Sequence, residues 1–390
     1  MYYAGKVFTA VPNSLPRNKR FSVKDTNTFK STVAILMRNA RNERRNMRCD
    51  LKLLIMINWK ERGKWGLYNS LVKHVQQVDI VQPYLFNARK SQLPNRISIF
   101  LSEFYLPFIA FLNRKRYDAV YSWSMRMGVI YGVLNRIFRR RKTAHIIYDF
   151  HINLIRTDPI YRLRLLLMKI AIPGIDYFLT TSEEETLLYS SMFAIQPSKI
   201  RFFPMVPPKH FLNKFLFNCK GYIFAYGNSD RDYDTLIKSI EGINEQVFIL
   251  TQAYTPPSSC VPPNVKIITR RREGLDLIEL ITSARLVVLP LNDASISSGQ
   301  TAMLETMALG RPLIVTSNMA TREYAVNKKT ALFYEAGDWL QLKEGIQLIL
   351  DNPVIAEHIG IMARKSMNEL IDKSFDVFCD LLQNNIQGNQ

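Results

Sequence analysis

The strongest structural signal in this sequence lies in residues 286–323, LVVLPLNDASISSGQTAMLETMALGRPLIVTSNMATRE. Leu286–Leu289 is an apolar run of the length of a buried strand, and the polar residues 292–299 predict a loop after it. Thr301–Leu309 consists of good helix formers, and Leu313–Thr316 is a second strand-like run. The stretch therefore predicts a strand, a loop, a helix and a parallel strand. Such a unit winds right-handed and opens at the carboxyl ends of its strands.

The ends of the predicted helix suggest a ligand. Ser298 is positioned to cap the helix start, Gly310 follows its last residue as a left-handed C-cap would, and Pro312 prevents continuation. A helix start presents unpaired N–H groups and the positive end of the helix dipole. We therefore expect an anion, most simply a diphosphate, at Ser298, Gly299, Gln300 and Thr301.

Glu305 extends this expectation from the phosphates to the group that carries them. It lies one turn beyond Thr301 and two turns beyond Ser298, so the three residues share a helix face. A carboxylate accepts two hydrogen bonds and suits a vicinal diol such as a ribose. A solvent-exposed glutamate with no ligand would fit the same pattern.

These residues carry a resemblance to a known family. SSGQTAMLETMALGRPLIVT at 297–316, followed by Arg322-Glu323 and by ALFYEAGD at 331–338, resembles the donor-binding region of retaining glycosyltransferase family four, which has the GT-B fold. The resemblance implies that Glu305 binds the donor ribose and that the backbone around Gly299–Thr301 binds the diphosphate. Family members usually carry a second Glu eight positions earlier. This chain has Ser297 there, which leaves retention or inversion and the sugar contacts open.

The resemblance also implies an α/β architecture of two Rossmann-like, doubly wound domains facing across a cleft. We expect residues 1–210 to form an acceptor-binding domain with a poorly ordered lead-in at 1–25. Residues 211–372 would form the nucleotide-sugar-binding domain. A separate C-terminal helix within 373–390 would cross back onto the first domain. A chain of 390 residues is long enough for two such domains.

A second donor-binding element is predicted at the start of the latter domain. Gly227 follows an apolar strand and permits a tight turn into a helix, and the forked guanidinium of Arg231 can bridge two phosphate oxygens. Similar loops in the family hold an Arg and often a Lys. This chain has the Arg but not the Lys. Asp230 and Asp232 mimic a metal-binding Asp-x-Asp, but beside a helix start we interpret them as caps. No metal or cofactor is predicted; the nucleoside-diphosphate sugar is a substrate.

Asp149 and His151 are the candidate catalytic residues. They follow the predicted strand Ala144–Tyr148, at the carboxyl end where α/β enzymes place ligands. Histidine suits proton transfer near neutral pH, and Asp149 could orient it or accept a hydrogen bond. In relatives a His at the end of the equivalent strand faces the donor sugar. A histidine that bonds only to local backbone fits the position as well.

The charge of the chain is uneven. Residues 1–210 hold 35 Lys and Arg against 13 Asp and Glu, whereas residues 211–390 hold 17 against 20. The basic half favours an anionic partner such as a membrane leaflet or a lipid pyrophosphate. Residues 96–116 join an aromatic-rich helix to a basic cluster, as an interfacial membrane helix would. A core helix of an α/β domain would look similar, and a basic surface that serves only solubility is the other alternative.

Four scattered cysteines without metal-ligand spacing indicate a reduced protein without structural zinc. No stretch has the length and apolarity of a transmembrane helix, and the N-terminus lacks the apolar centre of a signal peptide. We therefore expect a cytoplasmic protein, with peripheral contact of its basic half at the inner face of the membrane.

The predicted function is transfer of a sugar from a nucleoside-diphosphate sugar to a hydroxyl of a glycan or lipid-linked acceptor. The resemblance implies surface polysaccharide or glycolipid assembly. Alternatives are a sugar-nucleotide epimerase or phosphorylase of the same fold, or a basic nucleic-acid-binding protein. The last lacks a recognised binding motif and an aromatic platform on its strands, so nucleic acid is not a predicted partner.

Overall fold

The computed structural model describes residues 49–59, 68, 71–72, 75–83, 95–138, 143–148, 150, 159–207, 209–212, 221–256, 261–270, 272, 274–292 and 298–386. The chain divides into two compact units, Met1–Arg48 and Cys49–Gln390, and every described residue belongs to the second. The predicted lead-in at 1–25 lies outside the described residues.

The first sheet has six parallel strands in the order β2-β1-β3-β4-β5-β6. The strands are β1 Cys49–Met56, β2 Val75–Val81, β3 Ala119–Ser122, β4 Ala144–Ile147, β5 Tyr177–Thr180 and β6 Ile200–Phe202. The helices between them are α1 Asn95–Asn113, α2 Met125–Phe138, α3 Pro159–Ala171 and α4 Glu183–Phe193. Ser182 caps α4 by accepting a hydrogen bond from the Glu184 amide.

A short helix, α5 Lys209–Leu212, precedes the second sheet, whose six parallel strands have the order β12-β11-β10-β7-β8-β9. The strands are β7 Tyr222–Tyr226, β8 Gln246–Leu250, β9 Val265–Ile268, β10 Ala284–Leu289, β11 Leu313–Thr316 and β12 Leu332–Tyr334. The helices that follow α5 are α6 Tyr233–Ser239, α7 Leu275–Ser283, α8 Gln300–Ala308, α9 Met319–Tyr324, α10 Trp339–Asp351 and α11 Pro353–Ile386. All residues of β7 and β11 are buried, as expected for strands covered on both faces.

The strand orders place a crevice in each sheet. In the second sheet the chain moves outward from β7 in one direction through β8 and β9, and from β10 in the other direction through β11 and β12. Ligands of open α/β sheets bind at such a switch point, outside the carboxyl ends of the strands. The loop after β7 and the loop between β10 and α8 meet there. In the first sheet the corresponding point lies between β1 and β3.

Helix α11 corrects one prediction. Residues 353–386 form one continuous helix, so the separate C-terminal helix predicted within 373–390 is wrong. The sequence contains neither Gly nor Pro between 361 and 386, and the helix has no local reason to break. Its late turns pack on the first sheet, where Phe378 contacts Tyr121 and Phe203 at ring distances of 6.0 and 6.1 Å.

The carboxyl edges of the two sheets contact each other through hydrogen bonds. The Tyr324 hydroxyl at the end of α9 donates to the Thr181 carbonyl at 2.8 Å and accepts from the Met205 amide at 3.1 Å. Glu323 accepts from the Glu183 amide at the start of α4 at 2.9 Å. None of the described helices is both long and apolar enough to cross a membrane.

Candidate functional site

The start of α8 is built differently from the sequence-based prediction. Gly299, with φ 83°, is the N-cap residue, and the helix has no side-chain cap. The prediction that Ser298 caps this helix is therefore wrong. A β-carbon at Gly299 would lie 2.9 Å from the side chain of Leu291, so both backbone conformation and space require glycine. The C-cap prediction is confirmed, because Gly310 has φ 67°.

Ser298 instead joins the two loops of the switch point. Its hydroxyl donates to the Asp230 carboxylate at 2.6 Å, and its carbonyl accepts from the Asn318 side chain at 3.4 Å. Gln300 is buried and points toward the first sheet, where its amide donates to the Thr181 hydroxyl at 3.4 Å. These two residues therefore hold the helix start in place.

Glu305 lies on the inner face of α8 and is only 8% exposed. Its carboxylate accepts a hydrogen bond from the Tyr226 hydroxyl at 3.2 Å, and that hydroxyl also lies 2.8 Å from the Ala302 carbonyl. Burial raises the pKa of Glu305 to about 7, although the Tyr226 hydrogen bond lowers it. Burial, and then the charge of Glu305, raise the pKa of Tyr226 well above its usual value. A carboxylate buried beside a cavity without a cation against it, within the described residues, is characteristic of a binding site.

Gly227 and Arg231 form the opposite wall. Gly227 has φ 125°, and a β-carbon there would overlap the Arg231 guanidinium. The guanidinium donates from Nε to the Tyr226 carbonyl at 3.1 Å and from Nη1 to the Ser229 carbonyl at 2.6 Å. Burial lowers the pKa of Arg231 from its ordinary value. An Arg has five N–H donors, so two backbone carbonyls fix its plane and leave donors for a phosphate.

These residues line a cavity of about 520 Å³. The lining residues are His210, Phe211, Tyr226, Gly227, Asn228, Arg231, Leu250, Thr251, Gln252, Arg272, Gly274, Leu277, Thr301, Ala302 and Glu305. The size and the mixture of apolar walls with a few polar groups suit a ligand such as a nucleotide.

The structure brings together four of the predicted donor-binding residues, Gly227, Arg231, Thr301 and Glu305, in this one cavity. The other three, Ser298, Gly299 and Gln300, are not part of its wall and lie just before it at the helix start. The predicted catalytic residues Asp149 and His151 lie outside the described residues, as does Ser297.

Several lining residues were not predicted. Tyr226 ends β7, and Thr251 and Gln252 directly follow β8, so the rule that ligands bind at carboxyl ends of strands could have found them. Arg272 also lines the cavity and forms a 3.2 Å ion pair with Asp276 at the start of α7. His210 and Phe211 come from α5, whose position no local pattern indicates.

The Asp-x-Asp sequence has structural roles in this loop. Asp232 caps α6 by accepting from the Thr235 amide at 3.0 Å, as predicted, and Asp230 accepts from Ser298. Within the described residues, no group of three or more His, Cys, Asp or Glu side chains has the arrangement of a metal site.

Comparison with solved structures identifies the class of fold. The chain superposes on sucrose-phosphate synthase from Thermosynechococcus elongatus with TM-score 0.62 at 14% identity, covering 87% of this chain and 100% of that one. It superposes on Anabaena HepE in complex with UDP with TM-score 0.60 at 11% identity, covering 85% and 99%. It superposes on WaaG, a glycosyltransferase involved in lipopolysaccharide biosynthesis, with TM-score 0.56 at 12% identity, covering 85% of this chain and 99% of that one. The predicted GT-B fold, two Rossmann-like sheets, is thereby confirmed.

A sequence match to a family model covers part of the second half. Residues 261–366, which contain β10, α8 and β11, match the family described as Glycosyl transferases group 1. This match confirms the resemblance stated from residues 297–338, and with the fold it supports a glycosyltransferase. Assignment to family four is compatible with the match. No curated protein matches the sequence.

Proposed function

We propose that this protein transfers a sugar from a nucleoside-diphosphate sugar to a hydroxyl of a glycan or lipid-linked acceptor. The observation that carries the proposal is the buried Glu305 carboxylate in a cavity that also contains the Arg231 guanidinium and Thr301 at the start of α8. A nucleoside diphosphate presents a diol and two phosphates, which this set of groups complements.

In this proposal the diphosphate lies between the first turn of α8 and Arg231. Backbone N–H groups at a helix start and a guanidinium held by two carbonyls are fixed donors that need no rearrangement as negative charge develops on the leaving diphosphate. Gly299 supplies the left-handed backbone turn that begins the helix. The proposed reaction uses these donors in place of a metal ion.

The ribose then lies against Glu305, and the base occupies the end of the cavity near Thr251, Gln252 and Arg272. Tyr226 donates a hydrogen bond to the Glu305 carboxylate and fixes its orientation, so it is a positioning residue. A UDP-sugar is the first donor to test, because HepE of the same fold was solved with UDP and with UDP-glucose.

The acceptor is proposed to bind at the crevice of the first sheet, between β1 and β3. Trp59 and Trp123, which follow these strands, are in edge-to-face contact at 4.9 Å, and Trp123 contacts Tyr148 at 4.5 Å. Aromatic rings at a half-buried edge suit the apolar faces of sugars. WaaG, with the same fold, acts in lipopolysaccharide biosynthesis. We propose a related role in surface glycan assembly at the cytoplasmic face of a membrane.

The test measures UDP and UDP-glucose binding to wild type, Glu305→Ala and Glu305→Gln by calorimetry, with the exposed Glu344→Ala on α10 as matched control. Loss of two charge-assisted hydrogen bonds predicts at least roughly hundredfold weaker binding for both Glu305 variants and no change for the control. Because the pKa of Glu305 is about 7, wild-type affinity should fall as pH drops below 7, and that of Glu305→Gln should not. Equal affinity of Glu305→Ala and wild type for every nucleotide tested would exclude this site.

A further inference from the structure

Helix α1 is apolar on two opposite sides. Leu106 and Ala110 face the first sheet and are fully buried beside Val120 and Met127. The opposite side is an exposed stripe with helical spacing, formed by Ile97, Leu101, Phe104, Phe108 and Leu112. Leu112 is 78% exposed. A surface helix of a soluble protein normally places polar residues on its outer side, so this stripe requires an explanation.

The stripe continues over the neighbouring helices. Exposed apolar side chains also occur on the last turn of α2 and along α3, namely Ile137, Phe138, Leu163, Leu166, Leu167 and Ile170. Helix α2 connects the other two, because Phe138 contacts Phe111 of α1 at 5.3 Å and Arg136 donates to the Ile170 carbonyl of α3 at 2.9 Å. Of the 24 exposed large apolar side chains in the described residues, 14 lie on α1, α2 and α3, so they form one surface, the α1–α3 face.

The α1–α3 face is also basic. Exposed cations surround the apolar side chains on α2, on α3 and in the 3₁₀ turn after α1, namely Lys115, Arg116, Arg136, Arg162, Arg164 and Lys169. The three helices contain a single acid, Glu103, which is nearly buried and paired with Arg126. Apolar side chains interleaved with cations match a lipid surface, where rings and leucines enter the headgroup boundary and cations meet lipid phosphates.

We propose that the α1–α3 face lies on an anionic lipid bilayer. Charge argues against the other occupants. A second copy of the chain would oppose cations with cations. A nucleic acid would neutralise the cations with its phosphates, but it would not bury the exposed leucine side chains of α3.

The face also leads to the proposed acceptor crevice. Phe100 of α1 lies 5.2 Å from the guanidinium of Arg126, which bonds to Glu103, and Glu103 accepts from the Asn58 side chain at 2.8 Å just after β1. A lipid-linked acceptor held by the bilayer would therefore enter beside β1. The inference rests on the proposed function only for this acceptor; membrane binding itself requires no nucleotide sugar.

The experiment is sedimentation of the full chain with vesicles of phosphatidylglycerol and phosphatidylethanolamine, compared with phosphatidylcholine vesicles. The variant Leu112→Gln/Ile137→Gln/Leu166→Gln removes three exposed apolar groups of the face. The matched control, Val326→Gln/Leu340→Gln/Val354→Gln, removes three that are similarly exposed in the half built on the second sheet. A charge variant, Arg162→Gln/Arg164→Gln/Lys169→Gln, tests the cations.

We expect wild type and control to bind anionic vesicles alike and to bind phosphatidylcholine at least about tenfold more weakly. The apolar variant should lose at least roughly tenfold in affinity and the charge variant roughly hundredfold, with UDP binding unchanged in both. Absence of binding by wild type, equal binding to phosphatidylcholine, or equal loss in the control would overturn the proposal. A wild-type dimer that the apolar variant dissociates would assign the face to self-association instead. UDP binding is measured separately, so either proposal can fail alone.

Discussion

The half of the molecule built on the first sheet and the half built on the second share one backbone plan, yet their surfaces differ. Both have six parallel strands with helices between them. The first 210 residues carry a large excess of cations and an exposed apolar helix layer, while residues 211–390 carry 17 Lys and Arg against 20 acids and hold the cavity. The same architecture thus carries two kinds of surface, because the side chains at its edges and faces differ while the sheet stays the same.

The buried carboxylates of the two halves differ in the same way. Glu103 in the first half is paired with Arg126 and bonded to Asn58. Glu305 in the second half has a hydroxyl partner, Tyr226, and a pKa raised by burial. Removing the partner of a paired buried carboxylate is destabilising, whereas burying a carboxylate without a cation costs stability by itself.

The largest expected effects come from two glycines, one in each half. A methyl group on Gly174 would overlap the Gly132 carbonyl, and one on Gly360 would overlap the Gly310 carbonyl. Because backbone cannot move aside cheaply, Gly174→Ala and Gly360→Ala should each lower the free energy of unfolding by more than about 3 kcal/mol, measured by thermal denaturation.

Gly345→Ala on α10 is the matched control for these glycines. Its new methyl would lie 3.4 Å from Ile314, an ordinary contact, and alanine favours a helix. We expect its melting temperature to equal or exceed that of wild type. If Gly360→Ala melted like Gly345→Ala, the close packing of α11 on the turn after α8 would be wrong.

The next effect compares the two carboxylates directly. The folded pKa of Glu305 lies above its ordinary 4.5, so its contribution to stability is lost as pH rises from 4.5 through 7. At pH 8, Glu305→Gln should raise the free energy of unfolding by up to about 3 kcal/mol, while Glu103→Gln should lower it by about 1 kcal/mol or more because Arg126 loses its partner.

Urea denaturation at pH 8 and pH 5 measures the free energy of unfolding of wild type and both variants. The increase in the free energy of unfolding caused by Glu305→Gln should shrink toward zero at pH 5, where the wild-type carboxyl is already protonated. A gain of the same size at both pH values would show that burial of charge is not its cause.

The smallest effects concern the contact between the halves. Tyr324→Phe removes a hydroxyl that bonds to Thr181 and Met205, and it should cost about 1–2 kcal/mol. Arg322→Ala breaks a half-exposed ion pair with Glu184 and should cost less than about 0.5 kcal/mol. Thermal melts of both variants rank the two contacts. The reverse order would mean that surface charge, and not buried hydrogen bonds, joins the halves.

Local patterns predicted the elements of the second half well. The apolar run before the loop, the Gly310-x-Pro312 end and the strand after it gave β10, α8 and β11 within a residue or two. Glu305 was recognised because helical spacing alone places it on the face of Thr301. Ser298 was assigned the wrong role, since a serine before a helix is a common cap and its actual partner, Asp230, is 68 residues away.

The sequence by itself determined the alternation of strands and helices, the position of the α8 start after its loop, the Glu305 position and the basic character of the first half. These depend on the order of neighbouring residues and on composition. Only the tertiary structure decided that Tyr226 supports Glu305, that Arg231 lies flat on Gly227, and that the apolar side chains of α1 and α3 face outward together. Such relations join residues that are distant in the chain, and burial, which sets the pKa of Glu305 and leaves the α1–α3 face exposed, exists only once the chain is folded.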